Sequence, residues 1–304
     1  MTVIRERGVA ILIALVIIAI ATAIAGRMIW DRNLALHRTQ NVLRFEQDYE
    51  YAIGAESWIA SLIHEDLGTQ PTVNLTQSWA ETLPPLPIPH GEMVGRLVDL
   101  QGYFNVNNLA AQTGGVDVNE LAVFERLLAE FQINPEVAQA VANWVSSTQS
   151  SSAASSNGIY ASFTPPYRAA RAPMASATEL RLVAGLDRSQ YEVLRPWVVS
   201  LPIPTALNVN TAPLPILESL SPSPNPSNLA NIVKQQQAGG FQTTAMFENM
   251  LGQPVAIPVG VDSSFFRLLL AIRFAGSRFT LRGILFRAPT GQTRVFDQSF
   301  GSTQ

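Results

Sequence analysis

The rhythm of apolar residues changes several times along this chain, and each change marks a different kind of element. From Val9 to Gly26 eighteen residues carry no charge, and about eighteen is the shortest apolar helix that crosses a bilayer. A charged octapeptide holding Arg5, Glu6 and Arg7 precedes the run. Basic residues stay on the cytoplasmic side, so residues after about Trp30 are expected across the membrane. Residues 31–66 have no proline and a single glycine, Gly54. There Val42, Phe45, Tyr49, Ala52, Ala55, Ile59 and Leu62 step by three and four, giving one apolar stripe. Arg38, Arg44, Asp48, Glu56 and Glu65 fall on the opposite face, and Gly68 and Pro71 signal a stop. The pattern predicts one helical rod of about 55 residues, about 80 Å long. Its first half suits lipid or a filament core, and its second half suits packing on a globular head.

Beyond the rod the elements shorten. LPPLPIPHGE (Leu83–Glu92) reads as a proline-rich turn region, and GRLVDLQGYF (Gly95–Phe104) as a strand or half-hairpin. Residues 117–145 return to helical spacing, with a break at Asn134-Pro135 and a second helix over Glu136–Val145. A Ser/Ala-rich loop covers Ser146–Asn157. Short helices are predicted over Glu179–Gly185, Ser189–Trp197, Leu229–Gln237 and Thr244–Leu251. The last runs, Phe265–Phe274, Arg278–Arg287 and Gln292–Phe300, are aromatic and β-branched with turn residues between, a three-strand antiparallel meander. A helical block between strand segments predicts an α+β head with an insertion, not a doubly wound sheet.

Composition narrows the chemistry. Nothing in a net charge of −3 suggests nucleic acid as a partner, which would favour a basic face; removing residues 1–8 takes away two arginines and one glutamate, leaving −4. Cysteine is absent, which excludes disulfides, thiolate metal sites and a cysteine nucleophile. The three histidines, His37, His64 and His90, have no metal-ligand spacing. There is no G-x-S-x-G, P-loop or G-x-G-x-x-G, so no enzyme class is indicated. Paired short helices with glycine turns are compatible with helix-hairpin-helix DNA binding, yet Lys234 is the only lysine.

FNVNNL (Phe104–Leu109) and LNVNTAPLPILESL (Leu207–Leu220) are similar to each other. Asparagine favours Asx turns and helix N-caps, so a structural role is expected for these residues. Asn107 or Asn108 would start a helix through Gln112, and Asn210 or Thr211 would cap Ala212–Leu220, with Pro213 in its first turn.

Gly8 directly against VAILIALVII, with no small-x-small cleavage site beyond the apolar run, resembles a type IV prepilin leader; an uncleaved signal anchor is the alternative from this segment alone. Further along come LVDLQGYFNVNNL, PPYRAARAPMASATELRLVAGL, LNVNTAP and SSFFRLLLAIRF, in that order. As an ordered set spanning essentially the whole chain they resemble the type II secretion system minor pseudopilin K family.

The resemblance implies a type IV pilin-like α+β fold, a long N-terminal helix on an antiparallel sheet, with a large helical, sterile-alpha-motif-like insertion. It divides the chain into a leader at 1–8, a transmembrane or filament-core helix at 9–29, and a pilin-like helix with first strands at 30–104. Two helical parts follow at 105–206 and 207–258, and strands at 259–304 complete the sheet. It implies cleavage after Gly8 by the prepilin peptidase, N-methylation of Val9, a single pass through the inner membrane and a periplasmic bulk. The implied partners are minor pseudopilins I and J and the major pseudopilin, the implied place is the pseudopilus tip, and nucleic acid is not among the partners. A minor pilin of a type IV pilus or DNA-uptake system, or a signal-anchored periplasmic enzyme, are the alternatives.

Two positions depart from the related patterns. Ile13, fifth from the new terminus, stands where most pilin-like subunits carry a glutamate that compensates a neighbour's terminal ammonium; its absence is typical of the K member and suits a subunit with none above it. K-type pseudopilins usually carry an acidic, calcium-associated loop. Here the run is Asn143-Trp144-Val145-Ser146-Ser147-Thr148, then Ser155-Ser156-Asn157-Gly158-Ile159-Tyr160, with no acidic residue between Val137 and Thr178. Calcium affinity follows ligand charge, so no metal site and no cofactor are expected.

Overall fold

The computed structural model describes residues 3–68, 70–81, 85–88, 91–147, 158–274 and 277–301, with 3–8, 48, 274, 277 and 278 described by backbone alone. Met1–Ala55 and Glu56–Gln304 form two compact units. A 65-residue helix, α1 (Val3–Leu67), supplies the first unit and opens the second.

The strands, in order, are β1 (Leu86–Ile88), β2 (Gly91–Asp99), β3 (Phe104–Asn105), β4 (Val198–Val199), β5 (Leu207–Asn208), β6 (Val259–Gly260), β7 (Phe265–Phe274), β8 (Ser277–Arg287) and β9 (Thr293–Gly301). Five of them make one antiparallel sheet in the order β1-β2-β7-β8-β9. Alternation along these strands decides its faces. Met93 and Leu97 of β2, Phe266, Leu268, Leu270 and Ile272 of β7, and Leu281 and Leu285 of β8 are buried. The closing turns of α1 bury Ile59, Ile63 and Leu67. Full burial of each such side chain is worth about 1.5–3 kcal/mol.

The insertion enters after β2 and leaves into β7, whose ends are neighbours in register, Asp99 opposite Phe266. It holds α2 (Val118–Glu130), α3 (Glu136–Val145), α4 (Arg188–Leu194), α5 (Leu214–Ser219), α6 (Pro226–Gln237) and α7 (Thr244–Leu251). Local chemistry sets their starts: Asp117 accepts from the Asn119 and Glu120 amides, Asp187 and Gln190 form a capping box, and Thr243 caps α7. One continuous core runs through the block, including Phe104 stacked on Phe124 at 4.9 Å and Phe241 edge-on to Phe247 at 5.4 Å. Two short parallel pairs, β3 with β4 and β5 with β6, close its two halves.

The α+β, pilin-like class with a helical insertion is as expected, and α3, α7, β7 and the meander fall where periodicity put them. Several local readings are corrected. Glu56 is buried at 2% exposure, not on the polar face, and Ile63 rather than Leu62 lies in the buried stripe. The proline-rich segment contains β1, an edge strand, where proline's missing N–H costs no ladder bond. The strand read over 95–104 is β2, ending at Asp99. Residues Ala177–Leu182 form a 3-10 helix where an α-helix was expected.

Candidate functional site

On α1, Val9 and Ile13 sit one turn apart with 54% and 55% of their surfaces exposed, and Gly8 lies within the helical backbone. Ile11, Leu12, Val16 and Ile17 are similarly exposed. The Thr22 hydroxyl donates to the carbonyls of Ile18 and Ala19, both at 2.9 Å, so the polar group is satisfied within the helix, as lipid requires. From Val9 onward this helix is long and apolar enough to cross a membrane.

The two N-x-N motifs do something other than cap α-helices. Asn105, not Asn107 or Asn108, caps a 3-10 helix over Val106–Leu109, its Oδ1 accepting from the Asn107 amide at 3.2 Å and the Leu201 amide at 3.1 Å. Asn107 then clamps a distant segment: its Oδ1 accepts from the Met174 amide at 2.8 Å, and its Nδ2 donates to the carbonyls of Met174 at 3.0 Å and Leu201 at 2.9 Å. The second motif repeats this. Asn208 Oδ1 accepts from the Asn210 amide at 3.0 Å. Asn210 Oδ1 accepts from the Phe241 amide at 2.6 Å, and its Nδ2 donates to the Phe241 carbonyl at 3.0 Å. A primary amide offers donor and acceptor in one plane, so each clamp replaces a missing peptide partner. The N-cap of α5 is Pro213, with no side-chain bond, so Asn210 and Thr211 are not its caps. Gly240 makes room: its φ is +75°, and a Cβ there would stand 2.7 Å from Asn210 Cγ.

Where the insertion meets the sheet, Asp99 collects four donors. Its Oδ1 accepts from the Gln101 amide at 2.9 Å; its Oδ2 accepts from Asn208 Nδ2 at 2.9 Å and from the Thr211 and Ser263 hydroxyls, both at 2.6 Å. Burial pushes this carboxyl's pKa up, while the bonds from Ser263, Thr211, Gln101 and Asn208 pull it back. Nearby, the buried Arg287 guanidinium donates to the carbonyls of Leu67 (2.8 Å) and Ser263 (3.0 Å) and pairs with Asp262. These two residues tie the end of β2, the second half of the insertion, the start of β7 and the last turn of α1 together. Neither was singled out from sequence, although Asp99 between Val98 and Leu100 breaks an apolar run.

A second buried carboxyl, Glu120 in the first turn of α2, accepts from Asn108 Nδ2 at 3.1 Å through Oε1, while Oε2 has no hydrogen-bond partner among the described residues. Burial pushes its pKa up to about 7, against the pull of Asn108 and with a push from Asp117. Glu56 is also raised by burial. Its Oε2 accepts from Gln298 Nε2 at 2.6 Å, and its Oε1 lies 2.8 Å from where a Cβ on Gly283 would stand, so that glycine leaves it room.

In the described part of the loop expected to lack calcium, the polar groups are engaged with neighbours. The Ser146 hydroxyl donates to the Gly115 carbonyl, Asn143 Oδ1 accepts from Gln139, and the nearby Glu179 carboxylate accepts from Trp144 Nε1 at 3.3 Å and the Ala175 amide at 2.8 Å. Thr148, Ser155, Ser156 and Asn157 lie outside the described residues. Among the described residues no three His, Cys, Asp or Glu side chains converge. His64 Nδ1 is 2.7 Å from the Gly291 carbonyl, His37 lies on α1, and His90 lies outside the described residues.

A long N-terminal helix whose last turns pack on an antiparallel sheet, with a bipartite helical block spliced between neighbouring strands, defines a pilin-like subunit with an enlarged head. Two models of the type II secretion system (T2SS) protein K match residues 102–203 and 207–262, one for each half of the insertion and together just over half of the chain. The type II secretion system protein K of Pseudomonas aeruginosa is 28% identical over 97% of this chain and 93% of its own length. That of Aeromonas hydrophila is 28% identical over 93% of each. The fold matches a chain in the crystal structure of the GspK-GspI-GspJ complex from the enterotoxigenic Escherichia coli type 2 secretion system. The TM-score is 0.77 at 24% identity, covering 88% of this chain and 100% of that one. The chain belongs to the type II secretion system protein K family and is a minor pseudopilin of that system.

Proposed function

We propose that this pseudopilin stands at the tip of the pseudopilus, with minor pseudopilins I and J, and initiates and caps it. In this reading the prepilin peptidase cuts after Gly8, Val9 becomes the N-methylated first residue, and α1 holds the chain in the inner membrane with its bulk in the periplasm until extraction. Ile13 leaves this subunit without a carboxylate for another subunit's terminal ammonium. The role is assembly rather than catalysis. The major pseudopilin adds beneath.

The observation that carries the reading is the place of the insertion. Both its ends sit at the end of the sheet where α1 terminates, through Asp99 at one ending and Ser263 and Arg287 at the other. Head-to-tail subunits polymerise without limit unless something blocks the next addition, and the helical block holding α2 to α7 at that end is such an obstacle. The kinship with a protein found in a complex with GspI and GspJ supports the choice of partners. Mass spectrometry of the membrane-extracted N-terminal peptide should find N-methylated Val9, and minor pseudopilins I and J should co-purify. An intact Met1 terminus with normal secretion would overturn the processing step. Secretion and filament length unchanged by deleting the gene would overturn the tip role.

A further inference from the structure

The sheet face turned away from α1 carries arginines that fall into two groups. Arg273 pairs with Glu92 at 2.9 Å, and Arg294 lies over the Phe286 ring at 5.3 Å. Arg96, Arg267 and Arg282 make no hydrogen bond or ion pair among the described residues. The register places these three together. Arg96 on β2 and Arg282 on β8 both lie opposite Leu269 of β7, and Arg267, two residues before Leu269, lies opposite Val98 and Ile284. Diagonal neighbours on one sheet face are about 7–8 Å apart, so Arg267 stands within reach of both others. Burial lowers the Arg267 pKa; Tyr103 opposes this, and Arg282 and Arg96 lower it further.

Three cations are thus held close with no counter-charge between them, in a chain whose net charge is −3. Among the described residues of these strands, the carboxylates on this face are Glu92, already engaged, and Asp297, opposite Ile284 on β9. Between Arg96 and Arg282, on the side of Leu269 away from Arg267, is a cavity of about 280 Å³ lined by Val94, Arg96, Leu269, Ala271, Thr280 and Arg282. It is floored by apolar side chains and flanked by guanidiniums, and it is wide enough for one leucine-sized group.

We propose that this arginine triangle is a docking surface for an acidic protein segment, in which carboxylates flank an apolar side chain seated over Leu269. A guanidinium prefers planar carboxylate or phosphate partners. Nucleic acid draws its affinity from many phosphate contacts along a strand, whereas this cluster is compact and encloses an apolar floor. The inference goes beyond the tip reading and does not depend on it.

The test uses the full chain in non-ionic detergent and a fluorescein-labelled peptide with four glutamates around one leucine, followed by anisotropy. Binding should weaken steeply with salt and fall at least tenfold in Arg96→Gln/Arg282→Gln. It should change less than twofold in Arg188→Gln/Arg195→Gln, exposed arginines of the insertion. A glutamine version of the peptide should not bind. Absence of binding to the wild-type chain, or equal loss in both double variants, overturns the proposal. So does an Arg96- and Arg282-dependent preference for phosphatidylglycerol vesicles or duplex DNA over the peptide. If the double variant loses its native tryptophan emission, the single variants decide, each expected to weaken binding at least threefold.

Discussion

Replacing Glu120 with glutamine should stabilise the head at neutral and alkaline pH and leave it nearly unchanged in acid. The carboxyl is 3% exposed, and its pKa rises from an ordinary 4.5 to about 7 in the folded chain. Between those values the native form holds a proton that the unfolded chain has released. Stability therefore falls as pH rises through that window and is flat above it. A rise of about 2.5 units at about 1.36 kcal/mol each is a cost of about 3 kcal/mol once the group is ionised. Glutamine keeps the Oε1 that Asn108 bonds and imitates the neutral acid, so Glu120→Gln should recover about 3 kcal/mol at pH 8 and close to nothing at pH 4.5. Urea unfolding of the full chain in non-ionic detergent at pH 4.5, 6, 7 and 8, read by tryptophan fluorescence, measures this. A gain of the same size at every pH, or none at pH 8, would refute the reasoning, because the effect must follow the proton.

The remaining predictions concern the joints and calcium. Asn107→Asp and Asn210→Asp each remove the amide donor and set a carboxylate against carbonyls; each should cost about 2–4 kcal/mol by thermal unfolding, and similar costs are expected because the clamps are equivalent. Arg287→Met strands the Leu67 and Ser263 carbonyls, for a loss of about 2–4 kcal/mol, with earlier proteolysis around residues 262–264 as a second readout. Calorimetry should find no calcium binding tighter than about 10 μM, given the missing carboxylates; micromolar binding that vanishes when residues 143–158 are replaced would contradict this.

Elements fixed by their own residues were readable in advance. Helices α3 and α7 have strong periodicity and clear ends, and the three closing strands are long, aromatic and β-branched. What escaped were features made by distant partners. Glu56 looks solvent-facing on a helical wheel, while Gly283 and Gln298, far along the chain, leave room for and bond its buried carboxylate. The N-x-N motifs were legible as structural, but their partners, Met174 and Phe241, lie 67 and 31 residues away, so no local rule could tell a clamp from a cap. Asp99 offered a local hint, a lone carboxylate among apolar neighbours, while its donors at 208, 211 and 263 could not be guessed. The leader pattern at Gly8 and Val9 rests on the sequence alone, and a continuous helix through it is compatible with either terminus.

The parallel pairing of β3 with β4 and of β5 with β6 has a consequence for how such a head could have grown. Each half of the insertion departs and returns on adjacent strands, and each is latched by its own pair of asparagines. A segment that ends beside where it began is a closed loop, and closed loops of different sizes can be exchanged without moving the strands that carry them. The head is therefore built as two interchangeable cassettes in series on a fixed frame. Lengthening or trimming one cassette would alter the surface of the head while leaving the helix and sheet as they are.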